Sequence, residues 1–182
     1  IGLSCLLTGC AVLPIESSRI PAVGTQVEPD FSSEHREAVG VIHLHTNRSD
    51  GRLPLKAVAK IANRQNLDFL IVTDHDTLEG HRQGEAGWYD STLVLIETEI
   101  STQGGHYLGL GLEREVPRLE EPQKTIDTVN QQGGFGFIAH PLYARRPWKD
   151  FSVQGVTGLE IYSAKEDIMD ESLLKLGFWT LL

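Results

Sequence analysis

Val39-Gly40-Val41-Ile42-His43-Leu44-His45 is an apolar run that ends in two histidines one residue apart. Side chains alternate faces along a strand, so His43 and His45 project the same way, about 6.5 Å apart after two residue rises. Two imidazoles at that separation can converge on one metal ion. A histidine pair alone is weak evidence, because most histidines are ordinary surface or core residues. Here the pattern repeats. Ser49-Asp50-Gly51, Thr73-Asp74-His75-Asp76, Glu97-Thr98-Glu99, His106 and Ala139-His140-Pro141 follow, and almost every ligand-type side chain sits where a hydrophobic run stops.

Working outward, the pattern alternates between strand and helix. Strands are expected over 38–46, 68–73, 93–100, 106–112, 135–139 and 158–162. Leu55, Val58, Ala59 and Ala62 recur at helical spacing, with Pro54 suited to the first turn. Further helices are expected over 125–132, closed by Gly133-Gly134, and over 166–176; a less regular segment holds Trp88 and Tyr89. This alternation predicts an α/β fold with a mainly parallel sheet. Near-continuous apolar runs such as Phe69-Leu70-Ile71-Val72 fit strands buried on both faces. Sites in such folds form at the carboxyl ends of strands, where His43, His45, Asp74, His75, Glu99 and His140 all fall.

Each candidate has a plainer reading beside it. Asp50 is a ligand or a turn aspartate. His75 is a ligand with a neighbouring carboxylate orienting a second one, while Asp76 or Thr77 is suited to capping a helix. Glu97 and Glu99 share a face by alternation. Glu99, nearer the carboxyl end, is the better ligand, and a carboxylate there can bridge two metals; Glu97 is alternatively a buried acid paired with Arg or Lys. Pro141 holds His140 out of the helical region. Arg145 and Arg146 either clamp a phosphate or form a solvated charge pair. His35 and His81 read as surface residues.

With 182 residues the chain can build one domain with a substantial core. A net charge of −9 disfavours a non-specific nucleic-acid binder. It permits a small phosphorylated substrate, because divalent metals would supply local positive charge. The cysteines, Cys5 and Cys10, both precede the domain, which leaves it nitrogen and oxygen ligands only. The apolar start is too short to span a bilayer and reads as the tail of a secretory signal. Leu7-Thr8-Gly9-Cys10 resembles a bacterial lipobox with Cys10 lipidated; the alternative is a buried N-terminal strand. The expected organisation is a signal remnant over 1–9, a Pro/Ser-rich tether over 10–38 and a single domain carrying the candidate metal ligands over 39–182. The expected location is the bacterial cell envelope, lipid-anchored and extracytoplasmic.

Taken in order, His-Leu-His with Ser-Asp-Gly, Thr-Asp-His-Asp-Thr, Glu-Ile-Ser with His106-Tyr-Leu-Gly, Ala-His-Pro and Gly158-Leu-Glu-Ile-Tyr resemble the PHP (polymerase and histidinol phosphatase) superfamily of metal-dependent phosphoesterases. The resemblance implies a distorted (β/α)7 barrel holding two or three Mn, Fe or Zn ions. It implies that His43 and His45 bind the first ion, with Glu99 bridging to a second that His106 and His140 complete. Asp50 and His75 would hold a third, and a metal-bridging hydroxide would attack the phosphorus. The family's final Asp-x-His is absent, since no histidine follows His140, and the barrel is expected to be incomplete at its C-terminal end. A non-phosphate metallohydrolase and a non-catalytic metal-binding lipoprotein module are the competing expectations.

Overall fold

The computed structural model describes residues 37–118 and 121–161. The signal segment, Cys10, most of the tether and the helix expected over 166–176 lie outside the described residues. The elements run β1 (Gly40–Leu44), α1 (Leu55–Arg64), β2 (Phe69–Val72), α2 (Glu79–Arg82), β3 (Gly87–Tyr89), β4 (Thr92–Ile96), β5 (Thr98–Thr102), β6 (Gly105–Leu110), α3 (Pro122–Gln131), β7 (Phe135–Ile138) and β8 (Gly158–Leu159).

Two four-stranded sheets form, in the orders β1-β2-β4-β3 and β5-β6-β7-β8. The mainly parallel sheet expected from the sequence is not what forms. β1/β2, β2/β4 and β7/β8 are parallel, while β3/β4, β5/β6 and β6/β7 are antiparallel. Short connections explain two of the three antiparallel pairs: two residues join β5 to β6 and two join β3 to β4, too few for a crossover, whereas β6 and β7 are joined through α3. Trp88 and Tyr89, expected in an irregular segment, lie in β3.

α1 buries Leu55, Ala59 and Ala62, one stripe at helical spacing, against Leu70, Val72, Val94 and Ile96. Pro54 is the extended residue just before the helix rather than part of its first turn. α3 starts earlier than expected, at Pro122, and buries Thr125, Ile126 and Val129. It packs on Ile100, Tyr107 and Ile138. Gly133, at φ +78°, ends it in the left-handed region as anticipated.

The single strand expected over 93–100 is two strands in different sheets, broken at Glu97. The Glu97 N–H donates to Val72 O, and its Oε2 accepts the Gly111 N–H at 2.9 Å. The chain therefore leaves one sheet and enters the other without a turn. A parallel bridge between His75 and Glu99 adds a second link at the same place. Ile71 of the first sheet packs against Leu108, Phe137 and Ala139 of the second, so the two sheets share an interior. The expected barrel is corrected in part: the fold is mixed α/β, and among the described residues no closed barrel forms.

Candidate metal centre

His43 reaches the site by a route simple alternation does not capture. The β1/β2 register slips between Ile42 and Leu44, and His43 is the bulged residue, at φ +60°. A bulge re-aims a side chain at the cost of a strained backbone. The His43 and His45 ring centroids nevertheless lie 5.3 Å apart. His140, at φ +27°, is likewise left-handed.

Five imidazoles close a ring around one carboxylate. Centroid separations run 5.3 Å from His45 to His43, 5.6 Å on to His140, 5.2 Å to His106, 4.9 Å to His75 and 4.6 Å back to His45. Glu99, 1% exposed, sits among them. Its Oε2 lies 3.0 Å from His43 Nε2, 3.1 Å from His45 Nε2 and 3.4 Å from His75 Nδ1. Its Oε1 lies 2.7 Å from His106 Nδ1 and 2.9 Å from His140 Nε2. The two oxygens thus face two different histidine groups, the arrangement a bridging carboxylate needs. At the rim, Asp50 Oδ1 lies 3.5 Å from His45 Nδ1 and 3.8 Å from His75 Nε2.

These separations fit a metal. Bonds of about 2.1 Å put tetrahedral ligands about 3.4 Å apart. Three triads offer one ligand atom per residue within 4.8 Å of one another: His43/His45/Glu99, His45/Asp50/His75 and His75/Glu99/His106. The buried His75 Nδ1 and His140 Nδ1 have no hydrogen-bond partner. The donors are nitrogen and oxygen, which suits Mn, Fe or Zn.

The electrostatics follow from crowding. Burial pushes the Glu99 carboxyl up, but the contacts with His106, His140, His43 and His45 win and hold it well below the usual carboxylate range. Burial pushes His43 down, yet contacts with Glu160 and Glu99 raise it to about 10. His75 is lowered, chiefly by burial.

Asp74 does not approach the ring. It accepts the Thr46 N–H at 2.7 Å and the Ser49 hydroxyl at 2.7 Å, and Ser49 Oγ lies 3.3 Å from His45 Nδ1. It orients His45 through Ser49, as an outer carboxylate does. Asp76 accepts the Ser101 N–H at 2.6 Å instead of capping a helix; at the entry to α2 the Thr77 hydroxyl accepts the Glu79 N–H at 3.0 Å, and Glu115 takes the Leu78 N–H. Glu97 holds backbone N–H groups and not the Arg or Lys expected as its partner. His81 is exposed on α2. Glu160 was missed by the reasoning on single residues. It follows β8 as His140 follows β7, so the strand-end rule applied to Gly158-Leu159-Glu160 would have found it.

A cavity of about 860 Å³ is lined in part by Ser101, Arg118, Arg145, Arg146 and Lys149. None of the ring residues lines it; its link to them is Ser101, which pairs with His106 across β5 and β6. Sequence reasoning singled out Arg145 and Arg146 but not Arg118 or Lys149.

The chain matches no family model. It is 27% identical over 112 residues to an uncharacterized protein of Methanocaldococcus jannaschii, covering 55% of this chain and 66% of that protein. It is 31% identical over 83 residues to the 5'-3' exoribonuclease of Haemophilus influenzae, covering 43% of this chain and 30% of that enzyme. A crystal structure of a two-domain protein from Bacteroides vulgatus, containing a predicted PHP-like metal-dependent phosphoesterase, aligns with a TM-score of 0.45 and 21% identity, covering 59% of this chain and 36% of that one. The chain spans less than two thirds of the length of each of these relatives.

Proposed function

We propose that this chain carries a metal-dependent hydrolase centre acting on phosphoesters. The observation that carries the reading is Glu99, a buried carboxylate whose two oxygens face two separate histidine groups. His43, His45 and Glu99 Oε2 would hold one ion; His106, His140 and Glu99 Oε1 a second; His75 and Asp50 would contribute to a third. Divalent ions in such a set supply Lewis acidity and activate water near neutral pH.

The protein's own groups do the rest. Glu99 fixes the spacing between the two histidine groups, and Asp74 with Ser49 keeps His45 Nε2 aimed inward. Four cationic side chains at the cavity lined by Ser101, in a chain of net charge −9, concentrate positive charge where a phosphate would enter. That favours a phosphoester over a neutral carboxyl ester.

The test is turnover of an aryl phosphate and of an aryl carboxyl ester by protein loaded with Mn, Fe or Zn. Metal-dependent release from the phosphate alone is expected. Release only from the carboxyl ester would replace the phosphate reading with a different metallohydrolase, and inactivity on both would leave a metal-binding module. We further propose that the domain is tethered to a bacterial envelope membrane through lipidated Cys10, on the strength of Leu7-Thr8-Gly9-Cys10. Expressed in a bacterium behind a complete signal, the protein should partition into detergent, and Cys10→Ser should abolish this; unchanged partitioning and mass would refute it.

A further inference from the structure

Glu160 has no place in the ligand set above, yet it touches two of its members. Its Oε1 lies 2.6 Å from His43 Nδ1, the ring nitrogen opposite the one facing Glu99. Its Oε2 accepts the His140 backbone N–H at 2.7 Å. The carboxylate is therefore spent on holding ligands and not on joining them. The Glu160 N–H donates to Ile138 O, which extends the β7/β8 pairing by one residue and fixes where the carboxylate stands.

Both residues that Glu160 holds are left-handed, His43 at φ +60° and His140 at φ +27°. Non-glycine residues adopt that region only when their surroundings impose it. The contacts also fall at a particular place in the fold. β1 and β8 are the edge strands of the two sheets, and among the described residues no backbone ladder joins them. The sheets are linked covalently at Glu97 on one side and through the Glu160 side chain on the other.

We infer that Glu160 is a positioning residue of the metal centre: it sets the ring orientation of His43 and the backbone of His140, and thereby ties the fit of the site to closure of the β1/β8 seam. The inference rests on the metal-centre reading above but not on the identity of the substrate. A proton on His43 Nδ1, held by Glu160, leaves Nε2 free to bind an ion, and loss of such a partner typically weakens metal affinity about 10- to 100-fold. Glutamine at 160 keeps the volume but replaces one acceptor with a donor. It can satisfy His43 or the His140 N–H, not both.

The experiment is a zinc titration against a competing chelator, with wild type, Glu160→Gln and, as a control, Glu115→Gln, whose carboxylate serves α2. Wild type and Glu115→Gln are expected to bind alike, and Glu160→Gln about 10- to 100-fold more weakly. In zinc-loaded protein with 15N-histidine, His43 should show Nε2 bound to metal and a slowly exchanging proton on Nδ1. Glu160→Gln should shift or lose that proton and leave His45 unchanged. Equal zinc affinity in wild type and Glu160→Gln overturns the inference. If Glu160→Gln does not fold, the wild-type spectrum decides alone: zinc on His43 Nδ1 overturns the assignment, and a held Nδ1 proton supports it. Wild type that binds zinc nowhere in the ring overturns the metal-centre reading together with this one, whereas a bound but catalytically silent centre leaves the Glu160 role intact.

Discussion

Glu99 gathers five imidazoles, so its charge is what makes the ring a place for cations. Glu99→Gln should cut bound metal to a small fraction of wild type, as should the double change His43→Ala/His45→Ala; elemental analysis of purified protein checks both, and undiminished content would refute the ligand assignment. Tyr107 gives the opposite kind of prediction. Its hydroxyl is buried without a partner, and burial pushes its pKa to about 12. Tyr107→Phe removes a desolvated polar group and should leave stability unchanged or raise it by up to about 1 kcal/mol in urea unfolding. A loss above that size would mean the hydroxyl is paired. The ring histidines and Glu99 were legible in the sequence because each sits at or near the end of an apolar run, His106 where one opens and the others where one closes. Ser49 and Glu160 were not read as orienting residues, because an outer contact leaves no spacing signature along the chain. Only folding brings His43 and Glu160 together.

At the scale of elements, the hydrophobic runs located β1, β2, β6 and β7 to within a few residues, and the apolar stripes located α1 and α3. Pairing direction was not legible. The turn at Gln103-Gly104 makes β5 and β6 a hairpin, and this outweighs the βαβ rhythm of the flanking segments. The switch at Glu97 was also hidden, since Leu93 to Ile100 reads as one uninterrupted strand pattern while its hydrogen-bond partners change midway. The close approach of β6 and β7 predicts a sensitive position. A Cβ at Gly136 would collide with the Leu108 carbonyl and lie 2.6 Å from two ring atoms of Tyr107. Gly136→Ala should cost about 1–3 kcal/mol through overpacking, read as a lower urea midpoint. An unchanged midpoint would mean that the β6/β7 register is wrong.

For the whole molecule, the ring makes stability depend on pH in opposite directions with and without metal. In metal-free protein His43, raised from 6.5 to about 10, contributes stability that is complete below pH 6.5 and lost as pH climbs to about 10. Glu99, held well below 4.5, contributes stability present above pH 4.5 and lost on further acidification. A bound ion competes with protons for the same nitrogens, so its stabilisation grows as pH rises. Between pH 6.5 and 8.5 the thermal midpoint should therefore fall in chelator and rise with added metal, because in that range the unfolded chain gives up the His43 proton while the folded, metal-free protein still holds it; parallel curves would argue against metal at the ring. The seam contact between His43 and Glu160 joins positions 117 apart in the chain. Closing so long a loop carries an entropic cost, which predicts that this contact forms late, after the folding barrier has been crossed. Stopped-flow refolding should run at the same rate with metal or chelator, and only unfolding should slow when metal is bound. A bound ion would then act as a latch on a finished molecule: it would set how long the native protein lasts against a protease and have no part in how fast the chain folds.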